Sequence, residues 1–196
     1  MLHAVMKPEP LTNLARVRER LREIIKQKSL ITEGGPFKLV SGELSDYYLD
    51  MKPTTFDPEG ASLIAEIIFQ MLREEQDLVS VGGLELGAIP IVSNVVARSW
   101  PERPIDGFVV RKAKKDHGTG NKIDGNFRDN TTAVLFDDVT TKGGSVMQAV
   151  RAVRERGATV TKIITVVDRL EGATENLLKE GIELVPIFTT RDLLGN

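Results

Sequence analysis

Two adjacent carboxylates, Asp137 and Asp138, end the apolar run Ala133-Val134-Leu135-Phe136, and a short Thr/Gly/Ser loop, Val139 to Ser145, follows them. Beyond the loop, Val146, Ala149, Val150 and Val153 recur at helical spacing. A buried strand, a polar loop and a helix start in series leave unpaired, partly positive backbone N–H groups facing the loop, where they suit a phosphate monoester. Gly143 and Gly144 let the backbone approach such an anion, while Thr141 and Ser145 offer hydroxyl donors. The two carboxylates stand where they can accept hydrogen bonds from the hydroxyls of a sugar. Together these groups match a ribose 5-phosphate. A strand ending in Asp before a Gly-rich turn is also a common structural connection, so the loop alone leaves that reading open. The order Gly-x-x-x-x-Gly-Lys-Ser/Thr is absent, which excludes a Walker A loop.

A second cluster precedes it. Between Arg111 and Lys122 stand five cations, Arg111, Lys112, Lys114, Lys115 and Lys122, with one acid, Asp116, and His117, one of only two histidines. A charge run of this kind is commonly a solvated turn. This one follows directly from a buried strand end and contains glycines that permit movement. A mobile cationic flap can close over a diphosphate, exclude water and stabilise charge developing on a leaving group.

The elements that must position these groups alternate along the chain. Leu11 to Lys28 carries a helical stripe of Leu14, Val17, Leu21, Ile24 and Ile25. Gly34-Gly35-Pro36 breaks the chain before an extended segment from Phe37 to Met51, and Asp57-Pro58-Glu59 opens a second helix. Strands are expected at Leu78 to Gly82, Gly107 to Arg111, the run ending at Asp137, Lys162 to Val167 and Glu183 to Phe188. Helices are expected at Ile89 to Ser99, after Ser145, and at Ala173 to Lys179, with Gly157 and Gly181 as C-caps. A loop is expected from Ala113 to Gly125. Strands alternating with helices predict an α/β fold with a parallel sheet covered on both faces, whose ligands sit beyond the C-terminal strand ends.

Composition narrows the function classes. The 196 residues contain no cysteine, which excludes disulfides and thiolate chemistry and fits a reducing cytoplasm. A net charge of -2 gives no bulk electrostatic reason to expect nucleic acid or a membrane surface. No run approaches the ~18 apolar residues of a membrane span. Residues 1–10 read as an N-terminal extension and 11–196 as one domain.

The acidic pair and its loop, Asp137-Asp138-Val139-Thr140-Thr141-Lys142-Gly143-Gly144-Ser145, closely resemble the phosphoribosyl-diphosphate signature of type I phosphoribosyltransferases. With Arg111-Lys112-x-x-Lys115-Asp116-His117-Gly118 ahead of it, the chain resembles the orotate phosphoribosyltransferase family. Val40 to Asp50 resembles that family's hood element over the base, and Gly82 to Pro90 its diphosphate loop. The likeness runs from about Leu30 to Leu194 with the elements in family order.

The resemblance implies a type I phosphoribosyltransferase-like parallel sheet flanked by helices, with a small hood (about 30–55) and a mobile catalytic flap (about 111–125). It implies transfer of phosphoribosyl from 5-phosphoribosyl 1-diphosphate to orotate. Lys115, His117, Asp137 and Asp138 would be catalytic. Arg111 and Lys112 would bind diphosphate, Thr141, Lys142, Gly143, Gly144 and Ser145 the 5'-phosphate, and Thr140 would also bind substrate. Arg169 would meet the orotate carboxylate, a planar fork suited to a planar acceptor, with Ser41 and Tyr48 in the hood. A salt bridge within Asp168-Arg169-Leu170-Glu171 is the alternative for Arg169. Mg2+ is expected, held mainly by substrate with no direct protein ligand. A homodimer with the flap reaching the neighbouring subunit follows from the same likeness, with no nucleic-acid partner. Some members carry lysine at the positions of Val40 and Gly87. Lys142 stands where a small or hydroxyl residue is frequent, and either adds a cation to the phosphate site or points into solvent. The rival readings are transfer to another base, and a phosphoribosyl-diphosphate-sensing regulator with the same fold.

Overall fold

A six-stranded sheet carries the site. The computed structural model describes residues 13–38, 44–113 and 122–195. In chain order these form α1 (Leu14–Lys28), β1 (Leu30–Ile31), β2 (Phe37–Lys38), β3 (Leu44–Ser45), β4 (Tyr48–Leu49), α2 (Lys52–Thr55), α3 (Pro58–Leu72) and β5 (Leu78–Gly83). Then follow α4 (Ala88–Ser99), β6 (Asp106–Val110), β7 (Ile123–Gly125), β8 (Thr132–Thr140) and α5 (Gly144–Arg154). The chain ends with β9 (Lys162–Asp168), α6 (Ala173–Leu178), β10 (Glu183–Thr189) and α7 (Thr190–Leu194). The sheet order is β10-β9-β8-β5-β6-β7, parallel except for the antiparallel edge strand β7.

Each face of the sheet is covered. One apolar cluster joins Val17, Leu21, Ile24 and Ile25 of α1 to the buried sides of α3 and α4 and to Phe136, Ile164 and Val166. The other packs Val146, Ala149, Val150 and Val153 of α5 and Leu177 of α6 on Leu135, Phe108 and Ile163. Neighbouring residues of a single strand, such as Leu135 and Phe136, thus serve opposite cores, which is why the strands read as continuous apolar runs.

The chain runs outward from β5 to β6 and β7, then returns to the other side of β5 as β8. The loops leaving β5 and β8 therefore diverge, and a crevice opens between them at the C-terminal strand ends. The segment before α3 forms two small antiparallel pairs, β1 with β4 and β2 with β3, apart from the main sheet.

Several boundaries differ from the sequence expectation. The first helix begins at Leu14 because Asn13 is extended and its side chain accepts the Ala15 and Arg16 N–H groups. Ile123 to Gly125 is a strand, not loop, since it pairs with Val110, Val109 and Phe108. The extended segment from Phe37 is broken into two-residue strands. Gly157 and Gly181 lie in the left-handed region just past α5 and α6, with the formal caps at Glu155 and Lys179.

Candidate active site

The crevice contains a cavity of ≈ 270 Å³ lined by Lys52, Leu84, Glu85, Leu86, Gly87, Lys112, Asp137, Asp138, Val139 and Ser145. Its floor is the end of β8. Asp137 Oδ2 accepts the Thr140 hydroxyl at 3.1 Å and its Oδ1 the Asp138 N–H at 3.2 Å. Asp138 Oδ1 accepts the Val139 N–H at 2.9 Å. Burial, and then the neighbouring Asp138 charge, push the Asp137 carboxyl up to about 7 despite those hydrogen bonds. Burial lifts Asp138 as well, against the Val139 N–H and Lys52, which favour its anion.

The phosphate loop is held in an anion-ready form. Gly143 takes φ +82° as the residue before α5, a conformation that disfavours a side chain. No side chain caps this helix, so its first N–H groups remain for an external acceptor. Thr141, Lys142, Gly144 and Ser145 are exposed. Thr140 is buried, its hydroxyl engaged by Asp137. The Lys142 carbonyl accepts the Asn176 side chain at 3.1 Å, pinning the loop to α6.

The loop after β5 forms the opposite wall and contains a cis peptide at Glu85–Leu86. Glu85 N–H donates to the Val110 carbonyl at 2.9 Å, and Glu85 Oε1 accepts the Lys112 N–H at 2.9 Å. These two bonds tie the wall to the base of the cationic segment. A Cβ on Gly87 would stand 2.4 Å from Asp138 Oδ1, so the absence of a side chain lets the wall meet the carboxylate. The Arg111 guanidinium pairs with Asp124 of β7 rather than lining the cavity.

Arg169 follows β9, and its N–H donates to the Thr140 carbonyl at 2.9 Å, beside the phosphate loop. Its side chain is only 8% exposed, with Nε 2.8 Å from Glu171 Oε1. This ion pair is the salt bridge within Asp168-Arg169-Leu170-Glu171 that the sequence leaves open as the alternative for Arg169. Tyr47 lies over the guanidinium, 4.9 Å from ring centroid to Cζ. Tyr48, the expected hood tyrosine, is exposed and packs near Phe37, with centroids 6.1 Å apart.

The structure thus brings Asp137, Asp138, Lys112 and Ser145 to one cavity, with Thr140 and Arg169 beside its floor. Ser41, Lys115 and His117 lie outside the described residues. Lys52 and Tyr47 were missed as site residues. The signal for Lys52 was its place two residues after Asp50 at the hood's end, whereas Tyr47, in the turn between β3 and β4, carried none.

A parallel sheet with an acidic pair, an uncapped Gly-rich loop and a diverging second loop at its switch point defines the phosphoribosyltransferase class. The phosphoribosyl transferase domain family matches residues 56–188. An orotate phosphoribosyltransferase of Methanocaldococcus jannaschii is 43% identical over 176 residues, covering 90% of this chain and 96% of the relative. The crystal structure of Mycobacterium tuberculosis orotate phosphoribosyltransferase with Fe(III) dicitrate superposes with a TM-score of 0.79 at 34% identity, covering 90% of this chain and 98% of that one. The same enzyme in complex with 5-phospho-alpha-D-ribosyl 1-diphosphate gives a TM-score of 0.76 at 31% identity, with the same coverage. The chain belongs to the orotate phosphoribosyltransferase family.

Proposed function

We propose that this chain transfers the phosphoribosyl group of 5-phosphoribosyl 1-diphosphate to orotate, yielding orotidine 5'-phosphate and diphosphate in pyrimidine synthesis. The C1'–O bond to diphosphate breaks with its electron pair leaving on the diphosphate, through a state of oxocarbenium character. N1 of orotate, giving up its proton, forms the new bond to C1'. Asp137 and Asp138 accept the ribose hydroxyls and fix the sugar. Thr141, Lys142, Gly143, Gly144 and Ser145 receive the 5'-phosphate at the start of α5, and the buried Thr140 supports Asp137 through its hydroxyl. Arg111, Lys112, Lys115 and His117 close over the diphosphate and stabilise its departing charge, so catalysis rests on placement and electrostatics.

Arg169 carries the choice of base. A guanidinium whose Nε pairs with Glu171, held beneath Tyr47 and beside the phosphate loop, keeps its terminal N–H groups for a planar carboxylate. Ser41 and Tyr48 belong to the hood that covers the base.

Magnesium fits the donor chemistry. Asp137 and Asp138 supply hard oxygens beside the cavity, and among the described residues no group of three or more His, Cys, Asp or Glu forms a protein cage. The ion would be held mainly by substrate oxygens, with Asp137 and Asp138 as the nearby protein carboxylates. When bound, it neutralises diphosphate charge.

The working form in this reading is a homodimer in the cytoplasm, with each flap serving the neighbouring site. A groove of ≈ 700 Å³ lined by Phe56, Pro58, Ala61, Ile89 and Pro90 opens immediately after the β5 loop. Phe56 is 72% exposed within it. A second copy docked there would stand next to the cavity. No helix of the described residues is long and apolar enough to cross a membrane.

The decisive experiment follows orotate absorbance with phosphoribosyl diphosphate and Mg2+, against uracil, adenine and hypoxanthine. Orotate loss requiring both additions is expected, and Arg169→Ala should raise the orotate KM by about ten-fold or more. Turnover of a control base instead overturns the assignment of orotate. Binding of phosphoribosyl diphosphate without turnover of any base points to a sensing regulator.

A further inference from the structure

The charge lining the cavity does not suit a polyanion unless its cations are recruited. Among the described residues, five charged ones line it, the acids Glu85, Asp137 and Asp138 and the cations Lys52 and Lys112, with the Lys52 ammonium close enough to favour the Asp138 anion. The wall formed by Leu84, Glu85, Leu86 and Gly87 contributes only an acid. Backbone N–H groups and helix α5 serve the 5'-phosphate end. The cations for the other end come from the two rims, Lys112 after β6 and Lys52 at the start of α2.

We propose that Lys52 is a substrate-binding residue for the diphosphate of phosphoribosyl diphosphate, and that Asp50 positions it. The inference rests on the phosphoribosyltransferase reading and extends it to a residue on the hood side of the cavity. Lys52 Nζ donates to Asp50 Oδ1 at 2.6 Å, and the same oxygen accepts the Lys52 N–H at 3.1 Å. One carboxylate oxygen therefore holds both ends of the lysine and orients its side chain. An ammonium carries three N–H donors, so one bond to Asp50 leaves two for phosphate oxygens. The lysine side chain is 56% exposed, consistent with a group kept accessible at the cavity mouth. The hydrogen bond to Asp50 holds the Lys52 ammonium above its usual range, with Asp138 adding to the effect, so it remains charged at neutral pH.

Its position gives Lys52 a second consequence. It links the hood to the transfer site, because Asp50 directly follows β4 and Lys52 opens α2. A diphosphate drawn to Lys52 would fix the segment that also carries Tyr47, the residue lying over Arg169.

The test is calorimetric titration of diphosphate, phosphoribosyl diphosphate and ribose 5-phosphate, each with Mg2+, into the full chain and its Lys52→Met, Lys52→Arg and Asp50→Asn variants. Lys52→Met should weaken diphosphate and phosphoribosyl diphosphate by about ten-fold or more, the worth of a charge-assisted hydrogen bond. Ribose 5-phosphate, which lacks the diphosphate, should change by less than about two-fold and also reports an intact fold. Lys52→Arg should recover most of the loss, and Asp50→Asn should produce a smaller loss confined to the diphosphate-bearing ligands. Unchanged diphosphate binding in Lys52→Met, or equal weakening of all three ligands, overturns the role of Lys52. Failure of the unaltered chain to bind phosphoribosyl diphosphate overturns the phosphoribosyltransferase reading, and the role of Lys52 with it.

Discussion

Asp137 is the residue at which folding and chemistry conflict most. Burial and Asp138 raise its carboxyl to about 7 from an ordinary 3.8. Between about pH 4 and pH 7 the folded chain therefore holds a proton that the unfolded chain has released, so stability falls as pH rises through that window and levels above it. In metal-free and ligand-free protein, wild type should lose about 2–4 kcal/mol relative to Asp137→Asn between pH 4 and pH 8. Denaturant melts of both proteins across that range measure it. Superimposable pH profiles would mean that Asp137 titrates as an ordinary carboxylate. The acidic pair itself was legible in the sequence, because two acids followed by Thr-x-Gly-Gly-Ser resemble the phosphoribosyl-diphosphate signature far more closely than a generic strand end does. Its raised pKa was not, since that depends on the walls brought against it by the loop after β5.

At the scale of elements, the strand–loop–helix formed by β8 and α5 does most of the positioning. Gly143 takes the left-handed turn from which α5 starts, and Ser145 of its first turn lines the cavity. A Cβ on Gly143 would meet Leu177 at 3.3 Å in a conformation that side chains disfavour. Gly143→Ala should cost about 1 kcal/mol of stability. It should also raise the KM for phosphoribosyl diphosphate several-fold while leaving that for orotate nearly unchanged. Thermal melts and separate substrate titrations check both effects, and equal losses for the two substrates would remove the loop from a phosphate-specific role. Long elements were legible because burial imposes period and length on them. The strand β7 and the helices α2 and α7 were not. Three to five residues carry too little pattern, and β7 exists only through its pairing with β6.

The whole molecule raises the question of which chain supplies each flap. Chains bearing Lys115→Ala and chains bearing Asp138→Asn should each be nearly inactive alone. If the flap serves the neighbouring site, randomly mixed dimers contain some sites with both native parts, and activity should recover to about a quarter of wild type. Reassociation of the separately purified variants followed by the orotate assay measures this. A mixture as inactive as its components would show that each site uses its own flap, or that the chain acts alone.

The sequence by itself determined the alternation of strands and helices, the acidic pair with its glycine loop, and the cationic segment that follows β6. Those properties are local: they depend on period, residue type and backbone freedom over a few neighbours. Tertiary structure alone decided that β8 inserts beside β5, which opens the crevice, and that Lys52 and Lys112 line the same cavity as the two carboxylates. It also decided that Tyr47 rather than Tyr48 lies on Arg169. These contacts join residues far apart in the chain, and no local pattern encodes a distance that only the packed sheet creates.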